Sequence, residues 1–506
     1  MKASRVIVIL CFLIPSLCTA HPFPYALMER VRDLNLAGLN HAYNFDITTA
    51  NKLFDEAIGV EPLHPRAYIG KAMIFFWQYL LSKEDNDKEA FLALADHAID
   101  AGERFEDKYG EDADVKLCLG TIYGYRSFVH GRAKSYLKGA WDGKKSYDYF
   151  YDAIQLDPKL YDAYLGIGLF HYFVTFIPKP LQWIVAVMGV TGDSDAGIRE
   201  IRAAAQRGTY TKTEAQYYLA QFLPWHDGDF EDSEKILSNL CSQFPSNTLL
   251  RFTLAVWEIR RHDVRAAEEK LRTIVDTPDN DFSGVRNYAY YKLAECNFRQ
   301  GSFAETLADY QTFLGRTKER TYVTTSLFRI GLCFDMLGQR DSAVEYYERA
   351  AKGDRRFGDD AYSARRAELL LKRTLSPDDT LLLAAQNAVK SGYFDRAGEL
   401  FGALRSSSNL SADLAAEAVY GLGETLFERG SYAEALPVFR QIDEMKIDRE
   451  LWLKPWSHYY SGLAHLKLGD AAAAKKEFEK VLEYDEYDFK NWLEFRSKRE
   501  LEKLNK

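Results

Sequence analysis

One pattern recurs along this chain and constrains its fold more than any other: a small residue, a large one four positions on, and an apolar one three after that. It appears as Ala50, Phe54, Ala57 and as Ser146, Phe150, Ala153, with Pro62 and Pro158 closing the two sets at the same spacing. The pattern returns as Ala343, Tyr347, Ala350; Ala397, Phe401, Leu404; Ala435, Phe439, Ile442; and Ala474, Phe478, Val481. Steps of four and three place the side chains on one helical stripe, so each set predicts a helix with one buried face.

Twelve residues before these small positions stand Gly38, Gly331, Gly423 and Gly462, with Ala385 in the remaining later set. Glycine inside a helix costs about 1 kcal/mol relative to alanine, so its return at one phase predicts two helices crossing too closely for a side chain. Five residues before the small position come Gly228, Gly301, Gly338, Gly392, Gly430 and Gly469, which read as glycines that end one helix and turn the chain back. A period of this kind marks a stack of helix pairs rather than several compact domains.

These features together resemble the tetratricopeptide repeat, whose helix-turn-helix unit carries small residues at its eighth and twentieth positions and a large one at its twenty-fourth. The resemblance implies an all-α, right-handed α-solenoid of about eleven units with a C-terminal capping helix. Thr306 and Ser233 replace the small alanine in two units, Lys83 to Glu89 stretches another, and Asp354 to Asp360 interrupts the period. The repeats divide into N-terminal units over 21–208, central units over 209–375, and C-terminal units with the cap over 376–506. In this family the first helices line the concave face. Its twelfth position falls here on Phe76, Tyr172, Trp225, Trp257, Phe298 and Phe427, and its fifth on Tyr218, Tyr291, Phe328, Tyr420 and Tyr459. The resemblance therefore implies an exposed aromatic row as the partner-binding surface, suited to an amphipathic helix, a peptide strand or an apolar ligand. The lysine and asparagine with which family members clamp a C-terminal carboxylate are missing from these units.

Residues 1–20 read as a signal peptide: Lys2 and Arg5, an apolar run from Val6 to Leu17, then Cys18-Thr19-Ala20 before His21. Export to a periplasm or the outer membrane is expected, with secretion as the alternative. Loss of Lys2 and Arg5 would take the net charge from −9 to −11, which argues against nucleic acid as a partner. Four cysteines remain after such cleavage, Cys118, Cys241, Cys296 and Cys333, with no metal-binding spacing. Cys296 and Cys333 share one phase in successive first helices. Stacked helices stand roughly 8–10 Å apart, beyond the reach of a disulfide, so both are expected as free thiols.

The segment 173–192, FVTFIPKPLQWIVAVMGVTG, is far too long for a turn inside a repeat, and its apolar stretch is too short to span a bilayer. It reads as a hydrophobic lid, with a membrane or ligand contact as the alternative. Gly192-Asp193-Ser194 matches an esterase motif only superficially; Asp193 is better explained as the N-cap of the next helix. An apolar helix, a proline break, a second apolar helix and then Gly192-Asp193 leading to Gly197, Ile201 and Ala204 is similar to the eukaryotic inclusion-body clearance family of tetratricopeptide proteins over 161–208. That likeness implies binding of proteins or lipid bodies without chemistry. No P-loop, HExxH or GxSxG stands in the chain, and His41, His171, His226, His458 and His465 fall on helix faces. The expectation is a non-enzymatic, exported scaffold holding a protein or peptide, without cofactor or metal. A carrier of an apolar ligand or lipid, closed by the insert, is the alternative.

Overall fold

The computed structural model describes residues 25–177, 182, 183, 185, 189, 191–226, 228, 230–278, 282–408 and 410–505. The expected leader, 1–20, lies outside them, as do Pro178, Pro180 and most of the apolar run of the insert. Among the described residues every regular element is an α-helix, and they form two compact units divided between Asn247 and Thr248. Boundaries at 208 and 375 follow the repeat period; this one follows compactness.

Five hairpins make the first unit: α1 (Tyr25–Tyr43) with α2 (Ile47–Val60), α3 (Arg66–Ser82) with α4 (Asp85–Tyr109), and α5 (Ala113–Arg132) with α6 (Tyr136–Leu156). Then come α7 (Ala163–Val174) with α8 (Ser194–Arg207), and α9 (Lys212–His226) with α10 (Phe230–Gln243). The second unit begins with α11 (Thr248–Arg260) and α12 (Val264–Asp276), α13 (Ser283–Arg299) and α14 (Phe303–Arg316), and α15 (Val323–Met336) and α16 (Arg340–Ala351). A lone helix, α17 (Gly358–Leu371), follows. After it stand α18 (Pro377–Lys390) with α19 (Phe394–Arg405), α20 (Ala412–Glu428) with α21 (Tyr432–Glu444), and α22 (Leu453–Lys467) with α23 (Ala471–Val481). The end helix α24 (Lys490–Leu504) packs on α22 and α23 through Leu493 and leaves Trp492 and Phe495 in water, as a cap should.

Local chemistry explains the helix ends. Gly228, Gly301, Gly338, Gly392, Gly430 and Gly469 all take the left-handed conformation, with φ from +73° to +86°. Asp46, Asp112, Asp263 and Asp470 cap second or first helices with their carboxylates, and Asp193 accepts from the Ala196 amide at 2.9 Å, as expected.

The large residue of each repeat is a wedge, and the recurring phase of the glycines has a different cause from the one expected. A Cβ on Gly38 would stand 2.5 Å from the Phe54 ring, and equivalent clashes link Gly331 to Tyr347, Gly423 to Phe439 and Gly462 to Phe478. These four glycines make room for a ring, not for another backbone. Backbone truly meets backbone at Gly168 and Gly197, where a Cβ on either would lie within 2.8 Å of the other's carbonyl. Where the small alanine is replaced, the hydroxyl is satisfied in place: Ser233 donates to the Ala220 carbonyl at 2.5 Å and Thr306 to that of Ser302 at 2.8 Å.

Three features depart from the simple period. The α5–α6 hairpin continues past its Gly120–Ser146 contact, with Gly139 against the Ser127 carbonyl. The insert is pinched at its neck: the Asp193 amide donates to the His171 carbonyl at 3.0 Å, and a Cβ on Gly192 would strike Thr175. Consequently α7 and α8 pair as though the insert were absent. In the second unit α17 packs on α15 and α16 in the position of a next first helix, while α18 reaches back to α13, where Asn387 donates to the Phe298 carbonyl at 3.0 Å.

The first unit also closes on itself. After α10, Asn247 donates to the Tyr43 carbonyl at 2.7 Å, the Ser246 amide donates to Asn44 at 3.0 Å, and the Phe244 and Tyr43 rings meet at 5.6 Å. The fifth hairpin thereby returns to the first.

Candidate functional site

The structure corrects the expectation of an exposed aromatic row. Phe76, Tyr172, Trp257, Tyr291, Phe298, Phe328, Tyr420 and Tyr459 are buried core residues. Tyr218, Trp225 and Phe427 keep partial contact with water. In the first unit Tyr172 stacks on Phe222 at 4.2 Å, Tyr218 reaches the same ring at 5.8 Å, and Phe76 stacks on Tyr125 at 4.6 Å. In the second, Tyr291 stacks on Tyr322 at 4.4 Å, Tyr420 meets Trp452 at 5.1 Å, Phe427 meets Tyr460 at 5.0 Å, and the Arg329 guanidinium covers Phe298. Phe328 and Tyr459 lie against the wedge rings Tyr347 and Phe478. The reason is packing. Rings of the row such as Phe328, Tyr420 and Tyr459 pack against the wedge rings Tyr347, Phe439 and Phe478 and share their core.

Accessible apolar surface lies elsewhere, on the prolonged α5–α6 tip. Leu137 and Trp141 are each 60% exposed, with Phe128 and Tyr136 beside them. Sequence reasoning passed over this tip; its signal was the second small pair, Gly131 and Gly139, one step beyond the repeat's own.

The interior of the first unit combines rings with charge. Arg66 forms a two-pronged pair with Asp114, lies 3.5 Å above the Tyr210 ring, and shares that carboxylate with His64, whose Nε2 is 3.4 Å from Oδ2. Burial alone would raise the Asp114 carboxyl, but Arg66 and His64 hold it well below the usual range. Glu214, in the first turn of α9, is different. Both its oxygens accept from the Tyr125 hydroxyl, at 2.7 and 2.9 Å, and no cation among the described residues pairs with it. Burial pushes its carboxyl up from 4.5 to about 7, while the Tyr125 bond pulls the other way.

A pH prediction follows from that direction. A raised carboxyl binds its proton more tightly in the folded chain, so the native state loses stability as pH climbs from about 4.5 to about 7. Glu214→Gln should leave melting unchanged at pH 4 and raise the melting temperature at pH 8. Circular dichroism melts at both values check this, and a variant less stable than wild type at pH 8 contradicts it.

Elsewhere several carboxylates are paired with a cation, while the buried Asp162 and Asp360 accept from backbone amides. Glu295 faces Lys292 at 2.6 Å, Glu258 faces Lys270 at 2.6 Å, and Glu417 and Glu450 share Arg366. The histidines singled out in the sequence sit beside carboxylates: His41 by Asp46, His171 by Glu200 at 2.7 Å, His226 by Asp195, His458 by Glu477 at 2.6 Å, and His465 by Asp470. Among the described residues no group of three metal-ligating side chains converges, and no helix is long and apolar enough to cross a membrane.

Cys118, Cys296 and Cys333 are buried free thiols. Burial pushes the thiols of Cys296 and Cys333 up to about 12 and that of Cys118 further. With iodoacetamide at pH 8, these three should react at least about tenfold more slowly than the partly exposed Cys241, because only the thiolate attacks. Mass spectrometry of tryptic peptides over time reads the rates; comparable labelling of all four contradicts the burial.

Comparison with known families agrees with this architecture. Two models described as tetratricopeptide repeat match residues 382–448 and 457–488, and the model described as Iml2/Tetratricopeptide repeat protein 39 matches residues 162–357. Among solved structures, a tetratricopeptide repeat protein from Parabacteroides merdae is 16% identical, covering 58% of this chain and all of its own, with a TM-score of 0.26. Yeast Tom70 is 11% identical with a TM-score of 0.31, covering 87% of this chain and 91% of its own. A human IFIT1 dimer with PPP-AAAA is 13% identical with a TM-score of 0.34, covering 90% of this chain and 94% of its own.

Proposed function

For a chain that is a tetratricopeptide-repeat protein, similar over 162–357 to the Iml2/Tetratricopeptide repeat protein 39 family, we propose the role of an exported scaffold that holds a protein or peptide segment against its first helices. The observation that carries this reading is the partial water access of Tyr218 and Trp225 on α9, where the other predicted groove rings of that unit, Phe76 and Tyr172, are packed away. Stacked hairpins offer a rigid, repeated surface that needs no chemistry to be useful. In the second unit Phe427 is the corresponding accessible ring. Buried members of the row, such as Trp257, hold the scaffold together and make no direct contact with a partner.

The test is capture from a fractionated envelope, followed by cross-linking and identification of the retained protein. Tyr218→Ala with Trp225→Ala should lose the captured protein while the helical spectrum is kept; undiminished capture rejects this placement. Native mass spectrometry of the same material distinguishes the carrier alternative, which requires a bound lipid. Export rests on residues 1–20 and predicts a mature N-terminus at His21; an N-terminal sequence beginning at Met1 from the purified protein would reject it.

A further inference from the structure

Glu214 is held by fewer partners than the fully buried carboxylates of the chain. Buried carboxylates in the second unit are set against lysine or arginine, as Glu295 is by Lys292, Glu417 by Arg366 and Glu450 by Arg365, or held by several amide and hydroxyl donors, as Asp360 is by Tyr322 and Thr325. In the first unit the buried cation Arg66 is committed to Asp114. Glu214 has only the hydroxyl of Tyr125. A carboxylate enclosed by protein without a counter-charge is expensive: it either takes up a proton or gains a cation as a partner.

Its surroundings specify what that something is. Tyr43 and Tyr218 lie close enough for the Glu214 charge to oppose their ionisation, and Tyr125 is bonded to it directly. The Trp77 ring stands 5.4 Å from Tyr43, and Phe76 backs Tyr125 at 4.6 Å. These residues come from α1, α3, α5 and α9, which meet because the fifth hairpin returns to the first. Tyr125, Tyr218, Trp77 and Glu214 itself keep partial water access, so the carboxylate can be reached from solvent. An electron-rich aromatic wall around one carboxylate matches an organic cation, which gains from ring faces and carboxylate together. A metal ion would need more oxygen ligands than one carboxylate and phenols supply.

We propose that Glu214, with the rings of Tyr43, Tyr125 and Tyr218, forms a binding site for an alkylammonium group inside the first unit. The group is either a free amine or the lysine side chain of a bound polypeptide. Only the second source rests on the scaffold reading above.

Calorimetric titration of the full chain tests the site, with n-butylammonium chloride, acetyl-Gly-Lys-Gly-amide and neutral n-butanol as probes at pH 8. Both cations should bind saturably, and butanol at least about tenfold more weakly. Glu214→Gln should weaken cation binding by about tenfold or more with its helical spectrum intact, whereas Glu231→Gln, at an exposed position, should not change it. Tighter binding of the peptide assigns the site to a polypeptide partner, and tighter binding of butylammonium to a free amine. Equal binding by Glu214→Gln, equal binding of butanol, or no saturation below about 100 mM would overturn the proposal. If Tyr218→Ala with Trp225→Ala leaves envelope capture unchanged while butylammonium still binds wild type, the scaffold reading falls and this one stands.

Discussion

Phe54→Ala is expected to destabilise the first unit by roughly 3–5 kcal/mol, read as a shift in urea midpoint at unchanged slope. The ring is fully buried and is clasped by α1 on one side and α3 on the other. A Cβ at Gly38 or at Gly70 would stand 2.5 Å from its Cε1 atom. Because glycine lines the ring on both sides, its removal leaves a hole bounded by helix backbone, and backbone cannot collapse inward as side chains can. The same geometry predicts that Gly70→Ala, which overfills the site, costs about 1–3 kcal/mol. Combining Gly70→Ala with Phe54→Leu should be less damaging than the two separate losses added together, since the smaller side chain yields the space the methyl needs. A loss below about 1 kcal/mol for Phe54→Ala, well under the range for a buried ring, would mean that the wedge is not what joins α1, α2 and α3.

The second large effect lies in the second unit. Arg366→Ala should destabilise it by roughly 3–5 kcal/mol at pH 7, the usual consequence of breaking a buried pair by removing one partner. Arg366 donates to Glu417 at 3.0 Å and to Glu450 at 2.9 Å, and both carboxylates are almost wholly buried. Arg365 still serves Glu450, together with Asp488, so Glu417 is the charge left stranded. The pH dependence separates this from loss of packing. Burial would raise the Glu450 carboxyl, but Arg365 and Arg366 hold it down at about 2. Its contribution is therefore present above the ordinary carboxyl range and is lost as pH falls from about 4.5 toward 2. Burial pushes the Glu417 carboxyl up even beside Arg366. Without that arginine Glu417 takes a proton more readily still, so the penalty of Arg366→Ala should shrink at pH 4. Denaturation of wild type and variant at pH 7 and pH 4 checks this; an equal penalty at both values would assign the effect to lost packing. Adding Glu417→Gln to Arg366→Met should recover much of the stability, because both halves of the pair are then gone.

Sequence by itself determined the helices, their ends and the joint at the centre of each repeat. Those features depend on neighbours within one hairpin: the stripe of Ala50, Phe54 and Ala57, the left-handed turn at Gly301, the carboxylate of Asp193 over the next amides. Only the tertiary structure decided which rings see water. A fifth-position tyrosine such as Tyr291 faces the adjacent first helix, and whether it is covered depends on the volume left at that joint, which no single repeat records. The isolation of Glu214 is more remote still. It requires α9 to lie across from α5 and the turn after α10 to return to Tyr43 across some two hundred residues, as the Asn247 bond shows. Local periodicity specifies each hairpin; the small rotation between successive hairpins, summed around the unit, specifies what stands opposite what.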